Sequence, residues 1–257
     1  MTDSTSDKLK KEKLKKYISY IFSISLIFII WIIAAKKTSS ALILPYPSEV
    51  AVAMGKLFKN PEFWNSFLHT FLRCIISFGI SVVLGIMLGT VCALSTFCKR
   101  LFELPIAIIR ATPVAAIILI VLFWFKSNTV PIFVSVLMTL PIMITSVVTG
   151  LSSSDKKLLD MAKCFSLTGK DIFYYIKLPS AIPFILNAAV SAFGLTWKVV
   201  VAGEVLSLPI NATGTLLQRY QVHLESAYVL AAAIILVAVS FFLQELFAFF
   251  VRRYLKK

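Results

Sequence analysis

The residue types that perform catalysis or hold metal ions are scarce in this chain and do not stand at functional spacings. There are only two histidines, His69 and His223, and neither belongs to an HExxH or other metal-ligand pattern. No glycine-rich phosphate-binding loop and no GxSxG nucleophile motif is present. The sequence therefore predicts no catalytic residues, no metal and no cofactor of its own.

The side chains with chemical potential are instead charges inside apolar stretches. Lys198 and Glu204 lie in the segment FGLTWKVVVAGEVL beside Trp197, six residues apart, which is not the i,i+4 spacing of partners on one helix. Charges inside a membrane are costly and are functional candidates by default. We predict that these three residues line a translocation pathway, with a buried structural role as the alternative.

Two arginines also fall within apolar stretches. Arg73 stands near the predicted outer end of the apolar stretch 67–94, where its side chain could reach the membrane–water interface in a structural role. Arg110 lies between Pro105 and Pro113, and we expect it to cap carbonyl groups that a proline break would free.

The composition is that of an integral membrane protein. Of the 257 residues, 59% are hydrophobic and only 15% are charged, whereas soluble domains are about one quarter charged. The net charge of +14 does not indicate nucleic-acid binding, because the basic residues flank apolar spans without interleaved aromatic residues. The four cysteines show no CxxC spacing and predict neither a disulfide nor a metal site.

Six apolar stretches are long enough to cross a hydrocarbon core of about 30 Å as helices. We predict an all-α integral membrane protein with a basic cytoplasmic segment at 1–16, a transmembrane domain at 17–251 and a basic tail at 252–257. A five-span arrangement stays open, because the prolines make it uncertain whether residues 101–125 form one helix or two. The spans lie near 17–35, 67–94, 106–125, 129–150, 182–206 and 226–251.

The distribution of lysine and arginine orients these spans. With the N-terminus inside, seventeen basic residues fall on the cytoplasmic side and six on the outer side. We therefore predict a multi-pass membrane protein with both termini in the cytoplasm.

A charged segment at residues 158–183, called the polar island below, connects the predicted spans 129–150 and 182–206 on the cytoplasmic side. Its sequence, LLDMAKCFSLTGKDIFYYIKLPSAIP, predicts two short helices joined near Ser166–Gly169, with the second ending at Leu178–Pro179. A structured polar loop of this length favours a docking surface for a cytoplasmic partner. An amphipathic loop lying on the inner leaflet is the alternative.

The polar island resembles the coupling loop of the transmembrane subunits of bacterial ABC importers. Their pattern is Glu-Ala-Ala, three residues, Gly, nine residues and Ile-x-Leu-Pro. Asp160–Ala162 matches its start conservatively and Ile176–Pro179 matches its end, whereas Ser166 replaces the glycine. The segments LILPYPSEV, RATPVAAII and FGLTWKVVVAGEVL are similar to elements of the nitrate, sulfonate and taurine branch of this family.

This resemblance implies a type I ABC importer permease fold with a coupling loop at about residues 152–181. It implies a homodimer of permease subunits, two cytoplasmic ATPase subunits that bind the ATP, and an extracytoplasmic solute-binding protein. It also implies a location in the bacterial inner membrane and a small solute as substrate, such as a sulfonate, nitrate or a vitamin precursor. The coupling residues would be Asp160, Met161, Ala162, Ser166, Ile176, Leu178 and Pro179.

Glycines in the second span predict close helix packing. Gly85 and Gly89 form a GxxxG pair, and Gly79 precedes them. The pattern fits contact within one subunit or across a dimer.

A secondary transporter driven by an ion gradient is the alternative function. Such proteins often carry inverted repeats and broken helices at the membrane midplane, and no repeat is visible here. A membrane-embedded enzyme is disfavoured by the lack of a catalytic set.

Overall fold

The structure is a computed structural model that describes residues 3–38, 40 and 42–256, and within these residues every regular element is helical. A five-residue π-helical turn, Phe173–Lys177, joins two of the helices. The helices are α1 (Asp3–Thr38), α2 (Pro47–Lys59), α3 (Pro61–Leu94), α4 (Thr96–Ala111), α5 (Val114–Val121), α6 (Val130–Ser152), α7 (Lys156–Cys164), α8 (Gly169–Ile172), α9 (Leu178–Ser207), α10 (Thr213–Val222) and α11 (Ser226–Leu255).

Four of the six predicted spans, 67–94, 129–150, 182–206 and 226–251, coincide with helices that could cross a membrane. Four stretches of the described chain are long and apolar enough to cross a membrane: Pro61–Leu94, Val130–Ser152, Gly169–Ser207 and Ser226–Leu255. The pair α4 and α5 makes a fifth if it is counted as one broken span. The first predicted span, 17–35, lies inside the 36-residue helix α1. The all-helical membrane fold is therefore confirmed.

The third predicted span is not a continuous helix. Residues 101–125 therefore contain two helices and not one. α4 and α5 are inclined by 102° at a break that includes Thr112 and Pro113. Thr112 is extended, with φ −81° and ψ 130°, because a following proline disfavours helical geometry. Pro105 lies inside α4 without ending it, so the break belongs to Pro113 alone.

The chain divides into two compact units. The smaller comprises Met1–Lys59 and Tyr220–Ala233, and the larger comprises Asn60–Arg219 and Ile234–Lys257. Within the smaller unit, the Trp31 indole nitrogen donates to the Pro45 carbonyl at 3.1 Å, and the Ser226 hydroxyl donates to the Leu42 carbonyl. The candidate functional residues all belong to the larger unit.

The larger unit is centred on α6, which packs most extensively against α3 and α9. Small residues permit the close approach of α3 to α6. A β-carbon added at Gly85 would come within 2.2 Å of Met143 Cβ, and one at Gly89 within 2.6 Å of Val147 Cβ. The Ser81 and Thr139 hydroxyls share a hydrogen bond of 2.6 Å across the same seam. The GxxxG pair therefore serves packing within the subunit.

Gly79 is an exception to the prediction that all three glycines pack helices. A β-carbon added there would meet no atom within 4 Å. It lies on α3 six residues before Gly85, a separation that turns it away from the α6 seam.

The two glycines form a matched pair for a stability test. We expect Gly85→Ala to lower the free energy of unfolding by about 1–3 kcal/mol, because the new methyl group overlaps Met143. Gly79→Ala should be neutral or slightly stabilising, since the space is open and alanine favours helix. Thermal unfolding of both variants in lipid nanodiscs measures the difference, and equal midpoints would contradict the packing seam.

Candidate functional site

The first half of the polar island is a short helix closed by a left-handed residue. α7 ends at Cys164, and the Leu167 amide donates to the Ala162 carbonyl at 3.0 Å, which is the 6→1 hydrogen bond of a Schellman motif. Ser166 occupies the C′ position of this motif with φ 54°. Glycine meets this backbone requirement without cost, whereas an L-residue pays about 1–2 kcal/mol. Ser166 thus adopts the conformation that the family pattern provides with glycine.

The second half begins with a capping box. The Thr168 hydroxyl accepts from the Asp171 amide, and the Asp171 carboxylate accepts from the Thr168 amide. These reciprocal bonds start α8 at Gly169, and the π-helical turn Phe173–Lys177 follows it directly. The two-helix prediction with a joint near Ser166–Gly169 therefore agrees with the structure.

The prediction that Leu178–Pro179 ends the second helix is wrong. Leu178 is helical, with φ −64° and ψ −48°, and its amide donates to the Phe173 carbonyl five residues earlier. Proline is tolerated in the first turn of a helix, where its missing amide hydrogen is not needed, and the π-helical turn places Pro179 at such a position in α9. Gly169–Ser207 is consequently one span of 39 residues.

The polar island exposes large apolar side chains although it is itself polar. The Phe165 side chain is 74% exposed and that of Tyr175 is 77% exposed. Asp160 is also exposed, as is Pro179, while Ile176 and Leu178 are half-buried. The other large apolar side chains exposed on this segment are those of Leu158, Met161, Leu167 and Tyr174.

Ala162 differs from its neighbours in the coupling pattern. It is 0% exposed, so its methyl group is buried within the chain and does not reach a partner. The prediction of a partner contact at Ala162 is corrected on this point.

Glu204 does not line a pathway. It is 0% exposed, and its carboxylate accepts hydrogen bonds from Arg73 Nη1 at 2.9 Å, from the Thr70 hydroxyl at 2.9 Å and from the Gly214 amide at 3.1 Å. A buried charge requires this degree of pairing, because desolvation costs several kcal/mol. The structural alternative is the correct one for Glu204, with Arg73 as the partner instead of Lys198.

Arg73 also holds the loop that follows α9. Its Nη1 donates to the Asn211 carbonyl at 3.2 Å and its Nη2 to the Ile210 carbonyl at 3.1 Å. In this loop Leu208 and Asn211 have φ values of 50° and 51°. Asparagine tolerates this left-handed conformation, whereas leucine adopts it rarely and is held in it by its surroundings. The expected interfacial position of Arg73 is therefore corrected to a buried one.

Trp197 is buried as well and does not face a pathway. Its ring stacks on Phe67 at a centroid distance of 6.1 Å and lies 6.2 Å from the ring of Phe71. The same buried apolar cluster includes Cys74 of α3, Val200 of α9 and Leu236 of α11. The aromatic ring thus contributes to helix packing.

Lys198 has the opposite orientation. It is exposed on α9 between buried neighbours, and no described residue forms an ion pair or hydrogen bond with its ammonium group. Asn187 and Ser191 are exposed on the same helix, at separations of 11 and 7 residues that place them on one face. Of the three predicted pathway residues, Lys198 alone remains a candidate.

Arg110 caps a carbonyl group, but not one from the proline break near it. Its Nη2 donates to the Pro141 carbonyl at 3.0 Å and to the Thr145 hydroxyl at 2.8 Å, and both acceptors belong to α6. The end of α4 lies beside α6, and the Thr112 amide already satisfies the Ile108 carbonyl of α4.

The buried ion pair predicts that removing the charge of Glu204 lowers the free energy of unfolding far more than removing the charge of Glu62. We expect Glu204→Gln to lower the free energy of unfolding by about 3–5 kcal/mol, because it leaves the Arg73 guanidinium buried without a counter-charge. The control Glu62→Gln removes an ion pair with Arg219 whose side chains are about half exposed, and should cost at most about 1 kcal/mol. Thermal unfolding in nanodiscs compares them, and similar losses would contradict the structural role.

Comparison with known proteins adds evidence to this geometry. Residues 81–256 match the family described as binding-protein-dependent transport system inner membrane component. The chain is 28% identical over 197 residues to the putative aliphatic sulfonates transport permease protein SsuC of Escherichia coli, covering 76% of this chain and 74% of that protein. It is also 28% identical over 214 residues to the nitrate import permease protein NrtB of Synechococcus elongatus, covering 77% and 75%.

Solved structures agree at the level of the fold. A crystal structure of an amino acid ABC transporter superimposes with a TM-score of 0.65 at 17% identity, covering 78% of this chain and 95% of that one. The alternative of a secondary transporter finds no support in these comparisons. The apolar spans, the polar island between two of them and the family match together establish that this chain belongs to the binding-protein-dependent transport inner membrane components, the permease subunits of ABC importers.

Proposed function

We propose that this permease subunit couples to a cytoplasmic ATPase through the polar island and, with a second copy of itself, forms the pathway for a small anion. The ATP is bound by the ATPase, and an extracytoplasmic binding protein delivers the solute. The chain itself carries out no chemical conversion. Both termini face the cytoplasm.

The observation that carries the coupling role is the exposure of Phe165 and Tyr175 on a polar segment. A helical stretch of 39 residues is about 58 Å long, whereas a hydrocarbon core is about 30 Å thick, so the Gly169 end of this stretch extends into water. Large exposed apolar side chains are unfavourable there unless a partner covers them. Aromatic side chains of this kind are frequent binding hot spots. Asp160, exposed on the same segment, supplies charge for pairing with a basic partner surface.

The connection of the polar island to the membrane supports force transmission. α8, the π-helical turn and α9 form one continuous helical stretch from Gly169 to Ser207. A displacement of the docked segment is therefore passed to α9 without an intervening flexible loop. The helix carries the candidate pathway residue Lys198 along its length.

Lys198 supports the anion class. A lysine in the middle of a span, with no partner in the described part of the chain, requires either water or a counter-charge. Two copies related by a two-fold axis would place two such ammonium groups along one pathway. The relatives SsuC and NrtB are named for aliphatic sulfonates and nitrate, which are anions.

Capture of the ATPase tests the coupling role. We expect Phe165→Ser to weaken capture of the co-expressed ATPase at least about tenfold, because it removes an exposed aromatic contact without disturbing the core. Asp160→Lys should also lose the ATPase through charge reversal. The measurement is the amount of ATPase retained by the tagged chain from membranes.

The matched control is Glu225→Lys, which makes the same charge reversal in the loop predicted to face outward. Capture should be unaffected in this variant. Wild-type capture by both Phe165→Ser and Asp160→Lys would refute docking through the polar island.

Lys198 is tested by transport. We expect Lys198→Met to reduce uptake of the solute delivered by the binding protein at least about tenfold, while ATPase capture stays intact. Lys198→Arg, which keeps the charge, should retain most of the uptake. Reconstituted proteoliposomes measure the rate, and unchanged kinetics in Lys198→Met would assign Lys198 to a lipid-facing position.

A further inference from the structure

A cavity of about 420 Å³ lies between α4 and α6, with one residue of α3 in its wall. Its polar lining consists of Lys99, Glu103 and Arg110 from α4 and of Thr145 and Thr149 from α6. The remaining lining is mainly apolar. This combination of volume, apolar walls and a few polar groups is typical of small-molecule sites.

The α4 residues that line the cavity recur at helical spacing. Lys99, Glu103 and Arg110 follow one another at intervals of four and seven residues, which places them on one face of α4. The opposite face exposes Leu101, Leu104 and Ile108. α4 therefore directs its charged face toward the cavity and its apolar face outward.

The arginine is anchored so that part of its guanidinium stays available. Both hydrogen bonds that hold Arg110 to α6 use Nη2. Nη1 and Nε have no partner among the described residues. A guanidinium has five N–H donors, so the remaining ones can bind a ligand oxygen while Nη2 fixes the group in place.

The depth of Arg110 in the membrane distinguishes the kinds of ligand it could meet. It bonds to Pro141, the central residue of the 23-residue span α6, with about 16 Å of helix on either side. Lys99 lies about 16 Å of helix away along α4, toward the predicted cytoplasmic side. A lipid headgroup at the membrane surface reaches the level of Lys99, whereas a solute in transit reaches the level of Arg110.

We propose that this cavity is an anion-binding station within each subunit, where Arg110 binds the negatively charged group of the solute and Lys99 attracts it toward the cytoplasm. The inference rests on the proposed importer function and extends it to a site separate from Lys198. With Glu103 as the one acidic side chain of the lining, the net charge of the cavity is positive.

The charge selectivity of the cavity can be measured without knowing the solute. In the full-length chain in zwitterionic nanodiscs, the four native cysteines are replaced and Thr149→Cys is introduced in the cavity wall. The reaction rates of this thiol with an anionic and a cationic methanethiosulfonate reagent are then compared. We expect Arg110→Gln to lower the anion-to-cation rate ratio at least about fivefold, and Arg110→Lys to preserve it.

Control positions separate the cavity from the rest of the surface. Exposed Cys164 in the polar island, kept as the single cysteine, should show the same rate ratio with and without Arg110→Gln. If Arg110→Gln does not fold, Lys99→Gln provides a second test and should lower the ratio in the same direction. An unchanged ratio in the cavity variant would overturn the proposal.

The lipid alternative is a separate outcome. Adding phosphatidylglycerol to the nanodiscs should leave labelling of the cavity cysteine unchanged, and a block of labelling would assign the site to a lipid headgroup and refute the solute station. The measurement needs no ATPase. Failure of ATPase capture would therefore refute the coupling role without changing the rate ratio, and the two proposals can fail independently.

Discussion

The buried ion pair between Glu204 and Arg73 is the interaction on which the junction of α3, α9 and α10 depends. The Glu204 carboxylate binds Arg73 and Thr70 of α3 and the Gly214 amide of α10, and it lies on α9, so three helices meet at one buried charge. The approach of α10 requires Gly214, where a β-carbon would come within 2.5 Å of Glu204 Cβ. Because a buried charge without its partners is costly, these elements are held as a unit, including the left-handed residues between α9 and α10.

α9 connects this buried network to the polar island. Its C-terminal end is fixed by Glu204, and its N-terminal end continues through the π-helical turn into the segment that we propose as the ATPase docking surface. Close packing along its length, as at Gly203 against Pro131 on α6, leaves little room for bending. Under the proposed function, a displacement at the N-terminal end of α9 would therefore move α9 as a rigid rod and change the exposure of Lys198.

The span positions and the polar island could be predicted because hydropathy and charge are local properties of the sequence. The residues that contact each other from distant parts of the chain could not be predicted in this way. Glu204 and Lys198 look equivalent in one apolar segment, and only the fold reveals that Arg73, 131 residues away, neutralises one of them. The sequence also does not predict that the helix continues through Pro179. A π-helical turn avoids the expected break, and no simple sequence pattern predicts such a turn. The GxxxG pattern correctly predicts that Gly85 and Gly89 pack closely against another helix. Only the structure shows that Gly79 does not take part in this packing.

The most direct test of the central claim is site-specific photocrosslinking in the assembled complex in native membranes. A photoreactive phenylalanine analogue replaces Tyr175 in the polar island or Trp124, which is 75% exposed near the predicted outer end of α5. The account predicts a crosslink from position 175 to the ATPase and none from position 124. Crosslinks from position 175 to lipid alone would contradict it, because the polar island would then lie on the inner leaflet instead of against a partner.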